Sequence, residues 1–220
     1  MRIIFITFIF IVTMSANDNV EIGFRYGLLG QMGSKPDSTV VLSDSSIIHT
    51  GDRVQVNVGF LSESSFLLIF KGSRGEYSLL YEDAVSNNTN ASTKQDTTYR
   101  IAFPFSVFTD PPGLETFYLI NSMTPQEELI RLIRRYENAP EKAWAKLEGQ
   151  IQAKLDALDP SIKGDIAAVQ SRLDKPIVGG VSFRGEDDDG GIHDMSVTHE
   201  CKGYGGIALQ KIVLNHRSGR

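Results

Sequence analysis

Between Arg53 and Phe60 every second residue is apolar: Val54, Val56, Val58 and Phe60 fall on one side of an extended chain, with Arg53, Gln55, Asn57 and Gly59 on the other. A helix repeats its faces about every 3.6 residues, so a period of two reads as a half-buried strand. The turn signature Thr50-Gly51-Asp52 stands directly before it. The same period returns along the chain and commits most of it to a β architecture.

Phe66 to Phe70 is apolar at consecutive positions, which suits a strand covered on both faces. Gly72-Ser73-Arg74-Gly75 leads tightly into Glu76 to Tyr81, where Tyr77, Leu79 and Tyr81 share a face, and the two segments are expected to pair as a hairpin. Upstream, Asn17 to Ser46 is mixed and rich in Gly and Ser, with Gly30 to Ser38 reading as a loop between short strands. Glu82 to Asp96 is polar and aperiodic, an exposed loop with formal glycosylation sequons at Asn87 and Asn90. Strand character resumes with Tyr99, Ile101, Phe103 and Phe105, turns at Asp110-Pro111-Pro112-Gly113, and continues from Leu114 to Ile120.

The period then changes. Thr124-Pro125-Gln126-Glu127 has the form of a capping box with proline at the first helical position, followed by Leu129, Leu132, Ile133 and Tyr136 at helical spacing. Asn138-Ala139-Pro140 breaks that helix. A second helix, from about Glu141, places Trp144, Leu147, Ile151, Leu155 and Leu158 on one stripe, expected to pack on the β core, with any exposed remnant of it the best candidate for a protein-binding surface. Asp159-Pro160 is read as the cap of a third, aligning Ile162, Ile166, Val169 and Leu173. Beyond Gly179-Gly180 alternation returns with His193, Met195, Val197, His199 and Cys201, and Ile207 to Leu214 forms a last strand. Strands on both sides of the helices imply one α+β domain over 17–220, an antiparallel β-sandwich or barrel-like sheet with a helical insert at 124–174 before the C-terminal strands.

Met1-Arg2, a short apolar core from Ile3 to Val12, and the small residues Ser15 and Ala16 before polar Asn17-Asp18 make the tripartite pattern of a secretory signal peptide over 1–16. Its core is too short to span a bilayer, which needs about 20 apolar residues, and no transmembrane segment is expected in the mature chain. The protein is therefore expected to be exported, to the periplasm or outside the cell. Cys201 is the single cysteine, so no intrachain disulfide can form; it is read as a small buried hydrophobe. The formal charge of −5, with Lys and Arg scattered along the chain, lacks the cationic stripe that a nucleic-acid partner or an anionic membrane surface requires.

Gly51-Asp52 before a strand, the strand Phe66-Leu67-Leu68-Ile69-Phe70, Gly75 turning into Leu79-Leu80-Tyr81, Ile101 with Pro104, and Gly113-Leu114-Glu115 follow one another in an order that resembles the bacterial family called domain of unknown function 4384. The resemblance runs from Gly51 to Leu129 and leaves out the helices beyond. In that family the Leu-rich strand usually meets a proline, where this chain has Glu82 after Tyr81. What the resemblance implies is an accessory module of exported proteins, attached to signalling or caspase-like enzymes, with no catalytic residues to carry over.

The richest polar run is Glu186 to Asp194. Counted from Asp187 as an EF-hand loop, glycine falls at the fifth position and Thr198 at the twelfth, so that motif is not met, and a solvated acidic loop is the plainer reading. His193 and His199 lie roughly 20 Å apart along an extended strand, too far to share one metal ion. No Gly-x-Ser-x-Gly elbow occurs, and Gly27 to Lys35 lacks the Gly-Lys-Ser/Thr ending of a phosphate loop. Asp110 and Glu115 are the carboxylate pair to inspect for glycan chemistry, against the plainer reading as turn and strand-edge residues. No catalytic, cofactor-binding or metal-binding residue is assigned, and no cofactor is expected. The expectation for function is a non-catalytic binding or accessory module whose partner is another envelope or extracellular protein. The alternatives are an envelope hydrolase acting on glycan or peptide, or a calcium-dependent adhesion module resting on Asp187 to Asp189.

Overall fold

The computed structural model describes residues 22–33, 39–60, 64–85, 99–159, 170–179, 195–203 and 205–219, with backbone alone at 84–85, 99–101, 170–179 and 195–198. The signal peptide over 1–16, the sequons at Asn87 and Asn90, and the acidic run Glu186 to Asp194 lie outside the described residues.

The strands are β1 Ile22–Gln31, β2 Thr39–Leu42, β3 Ile47–His49, β4 Arg53–Phe60, β5 Ser64–Lys71, β6 Tyr77–Val85, β7 Tyr99–Ala102, β8 Ser106–Val107, β9 Gly113–Ser122, β10 Gln170–Gly179, β11 Met195–Gly203 and β12 Ile207–Arg217. The helices are α1 Glu127–Glu137 and α2 Trp144–Leu158, joined through a 3-10 turn at Glu141–Ala143. One sheet has the order β10-β11-β1-β4-β7, with β2 also on β1 and β8 also on β4; the other has the order β3-β12-β9-β5-β6. The chain is thus the expected α+β sandwich with helices before the C-terminal strands, mostly antiparallel, β3 running parallel to β12. Among the described residues no helix is long and apolar enough to cross a membrane.

Two apolar cores follow from the period of two. Phe24, Val58 and Phe60 of the first sheet meet Phe66, Leu68, Phe117 and Leu119 of the second in the inter-sheet core. The alternate residues of the second sheet, Leu67, Ile69, Tyr118 and Ile120, face Leu129, Ile133, Ile151 and Leu155 of the helices. The double coverage expected of Phe66 to Phe70 is therefore met, and the expected hairpin forms between β5 and β6. Helix α1 sits beside β6: the Leu79 amide donates to Glu137 Oε1 at 2.9 Å and Arg134 pairs with Glu82. That contact, with an irregularity in the β5–β6 register at Leu68/Ile69, leaves little regular edge for another strand. Between β11 and β12 the chain passes from one sheet to the other; a Cβ on Gly203 would lie 1.8 Å from the Ile207 carbonyl oxygen, so the crossing requires glycine there.

Several readings need correction. Residues 170–174 belong to β10 and not to a third helix, so Leu173 lies on a strand; 160–169, with the rest of that expected stripe, lie outside the described residues. Strand β10 pairs with β11, and Pro176 falls where the register skips between Arg172 and Ile177, a place on an edge strand that tolerates proline. Pairing with β11 outweighs the local helical spacing. The capping box is not formed: the N-cap of α1 is Gln126, without a side-chain cap, while the Thr124 carbonyl accepts from Ser122 Oγ and Gln126 Nε2. Trp144 is 41% exposed at the start of α2, its ring tilted on Tyr136 and its Nε1 donating to the Ala139 carbonyl at 2.9 Å. Strand β4 is not half-buried, since Gln55 and Asn57 are 2% and 0% exposed beside buried Leu29. A two-residue period reports which residues share a face, not whether the second face is covered.

Candidate functional site

At one end of the inter-sheet core the apolar columns finish in polar groups. On β9, Leu119 and Phe117 are followed in phase by Glu115; on β12, Ile212 and Leu214 are followed in phase by His216. Register sets Glu115 opposite Leu214 and His216 opposite Gly113, so the two polar side chains are diagonal neighbours on the buried face. Both residues are 4% exposed, and His216 Nδ1 lies 3.1 Å from Glu115 Oε1. His216 Nε2 lies 3.1 Å from Thr50 Oγ1, and that hydroxyl donates to Asp110 Oδ1 at 2.7 Å.

The proton count in this chain is constrained. Thr50 has one hydroxyl proton, and with that proton on the Asp110 bond, His216 Nε2 must be the donor toward Thr50. The bond between Nδ1 and Glu115 then holds a further proton, carried either by an imidazolium or by the carboxyl. Burial raises the Glu115 carboxyl above its ordinary range; the hydrogen bond and charge of His216 oppose that shift and nearby Glu76 adds to it. The Ser73 amide faces Glu115 and lowers it slightly, without making a hydrogen bond to Oε2. Oε2 is buried with no hydrogen-bond partner.

Two turns wall the space in front of Glu115. In the β5–β6 turn the Gly72 amide donates to the Glu76 carbonyl at 2.9 Å and the Arg74 amide donates to Glu76 Oε2 at 3.0 Å. This turn is tied to the 110–113 turn by Ser73 Oγ, which donates to the Pro111 carbonyl at 2.8 Å. The approach is close enough that a Cβ on Gly113 would meet Ser73 Cβ at 2.7 Å. The Asp110-Pro111 peptide is cis. Behind the turns Phe70, Phe108 and Phe117 form a cluster with ring centroids 5.2 to 6.4 Å apart, and Phe108 lies edge-on to His216 at 5.8 Å. The resulting recess has a volume of about 270 Å³, with Phe70, Phe108 and Phe117 as apolar walls and Glu76, Asp110 and Glu115 as its acidic groups.

The carboxylate pair read from the sequence thus lines one recess. Asp110 is an exposed turn residue as expected, but Glu115 is not at a strand edge: β9 is flanked by β12 and β5, and the side chain is buried. Cys201 is fully buried in the inter-sheet core, and burial pushes its thiol up to about 12, well away from thiolate reactivity at neutral pH. His199 stacks on Tyr26 at 5.2 Å, while His193 lies outside the described residues. Asp52 is a turn organiser, accepting from the amides of Gly33 at 2.7 Å and His49 at 2.8 Å. Among the described residues no three His, Cys, Asp or Glu groups converge as metal ligands. Thr50 and His216 were not singled out from sequence, although the phase of His216 with Ile212 and Leu214 placed it on the buried face.

The fold and site define a two-sheet sandwich with helices over one sheet and an acidic, aromatic-walled recess at one end of its inner core. Comparison with protein-family models, with curated proteins and with solved structures finds no match.

Proposed function

We propose that this chain is an exported, non-catalytic binding module of the bacterial envelope or extracellular space, and that the recess in front of Glu115 receives part of an envelope or extracellular protein. The observation that carries the reading is a recess of about 270 Å³ in which Glu76, Asp110 and Glu115 converge beside the rings of Phe70, Phe108 and Phe117. Concave sites with apolar walls and a few convergent polar groups are where ligands bind. The signal-peptide pattern of 1–16 and the resemblance of Gly51 to Leu129 to an accessory module of exported proteins both fit it.

The hydrolase reading has one observation in its favour, since Asp110 and Glu115 share the recess, linked through Thr50 and His216. Against it, the Thr50 proton is held by Asp110, the reverse of a hydroxyl delivering its proton to a histidine base. The adhesion reading rests on Asp187 to Asp189, outside the described residues.

A photo-reactive benzophenone side chain at exposed Val107, on the rim, compared with one at exposed Lys146 on α2, tests the binding reading in cells. A discrete adduct from Val107 and none from Lys146 is expected. An adduct from Lys146 alone would move the binding surface to the helices, and turnover of cell-wall glycan or peptide by the purified protein would favour the hydrolase.

A further inference from the structure

The rim of the recess narrows its ligand, on the reading that this recess is the binding site. Two large apolar side chains stand there in water, Leu80 at 44% and Val107 at 52% exposed, with the half-buried ring of Phe70 in the wall beside them. Leu80 owes its place to a bulge. The β5–β6 register pairs Ile69 with Leu79 and Leu68 with Tyr81, so Leu80 has no partner on β5. Leu79 accordingly packs under the helices and Tyr81, two residues on, against the inter-sheet core, while Leu80 lines the recess. A bulge re-aims a side chain at the cost of regular pairing, and here it presents a leucine to solvent.

The polar side chains of the recess already have partners within the chain. Glu76 Oε2 accepts from the Arg74 amide, Ser73 Oγ donates to the Pro111 carbonyl, Asp110 Oδ1 accepts from Thr50, and Glu115 Oε1 is paired with His216. A charged ligand would give up its water to groups that are engaged elsewhere, whereas an apolar one would cover surface that now faces water. The Ser73 tie also holds the two turns together, so the walls stand ready before a ligand arrives. An apolar cavity of about 150 Å³ takes one benzene. The volume of about 270 Å³ is therefore the scale of one ring with the stem that joins it to a backbone.

We infer that the recess seats one uncharged apolar side chain of a partner polypeptide, best a phenyl ring, between Leu80 and Val107. Phe70 meets that ring as one aromatic side chain meets another, and the apolar rim keeps water from its stem.

Amide chemical shifts of the full chain, titrated with the N-acetyl amides of phenylalanine, lysine and glutamate and with toluene, test this. The phenylalanine compound should shift residues 73–76, 80 and 106–110 saturably, and the lysine and glutamate compounds should bind at least about tenfold more weakly. Leu80→Ser and Val107→Ser alter exposed positions and should leave the fold intact, yet each should weaken the phenylalanine compound a few-fold. Toluene binding more tightly than the phenylalanine compound would assign the recess to a free apolar molecule and overturn the polypeptide partner. Lysine or glutamate matching phenylalanine, or binding unchanged in both serine variants, would overturn the apolar anchor. If a Val107 adduct still forms in cells, that result leaves the binding reading in place. Shifts confined to other parts of the chain, with no Val107 adduct, would overturn the recess as the site altogether.

Discussion

The two apolar cores lie on opposite faces of the same five-stranded sheet, yet they treat polar groups differently. In the core under the helices, tyrosines reach the boundary and find partners there: Tyr77 donates its hydroxyl to Gln152 Oε1 at 2.7 Å, where Lys71 Nζ also donates at 3.0 Å, and Tyr136 donates to Glu148 Oε1 at 3.1 Å. Burial pushes the Tyr136 hydroxyl up to about 12, so it stays a donor at any ordinary pH. In the inter-sheet core polar groups stand at both ends, Glu115 with His216 at one and Asn121, which donates to the Gly23 carbonyl at 3.2 Å, at the other, and Glu115 Oε2 and Asn121 Oδ1 are both left without a hydrogen-bond partner. Satisfied polar atoms at a packed boundary serve architecture. A buried oxygen without a partner is a cost to folding.

The largest effect should come from the inner core. Phe66 is fully buried, with ring centroids 4.9 Å from Phe60 and 5.8 Å from Phe24, so Phe66→Ala should lower unfolding free energy by about 3–5 kcal/mol in urea titration. Ile151→Ala removes a fully buried side chain between α2 and the second sheet and should cost about 2–5 kcal/mol. Because β5 and β9 contribute to both cores, helix and strand circular-dichroism signals should fall together in that variant. Separate transitions would mean that the helical layer is not coupled to the sandwich. Trp144→Ala should cost only about 1 kcal/mol, mainly the hydrogen bond to Ala139, because the ring is 41% exposed. A loss near the Phe66→Ala value would restore the buried-stripe reading.

Periodicity made most elements legible, including the β5–β6 hairpin and the buried faces of α1 and α2. It could not reveal what depends on distant partners. Residues 170–174 carry helical spacing but complete a sheet edge on β11, and Asn57 alternates as a surface residue would although it is fully buried. Half of the site was legible, because Asp110 and Glu115 flank a visible turn. The other half was not, because Thr50 and His216 are separated by 166 positions and meet only through β12 lying beside β3 and β9.

The proposed role of the recess implies that Glu115 is not kept for stability. Burial holds its folded-state carboxyl above the ordinary value of 4.5, so the folded chain keeps that proton more tightly than the unfolded chain. The group's contribution to stability is therefore fully present below about pH 4.5 and is lost as pH rises through the folded value. The glutamine of Glu115→Gln can pair with His216 Nδ1 through either its amide NH2 or its carbonyl oxygen, and it does not titrate. Urea unfolding of both chains at about pH 4 and about pH 7 measures the difference. The account predicts a variant at least as stable as the parent at about pH 7, with its relative advantage shrinking toward about pH 4. A variant less stable at about pH 7 by about 3 kcal/mol, with the deficit shrinking in acid, would show Glu115 and His216 to be a structural ion pair and would contradict it.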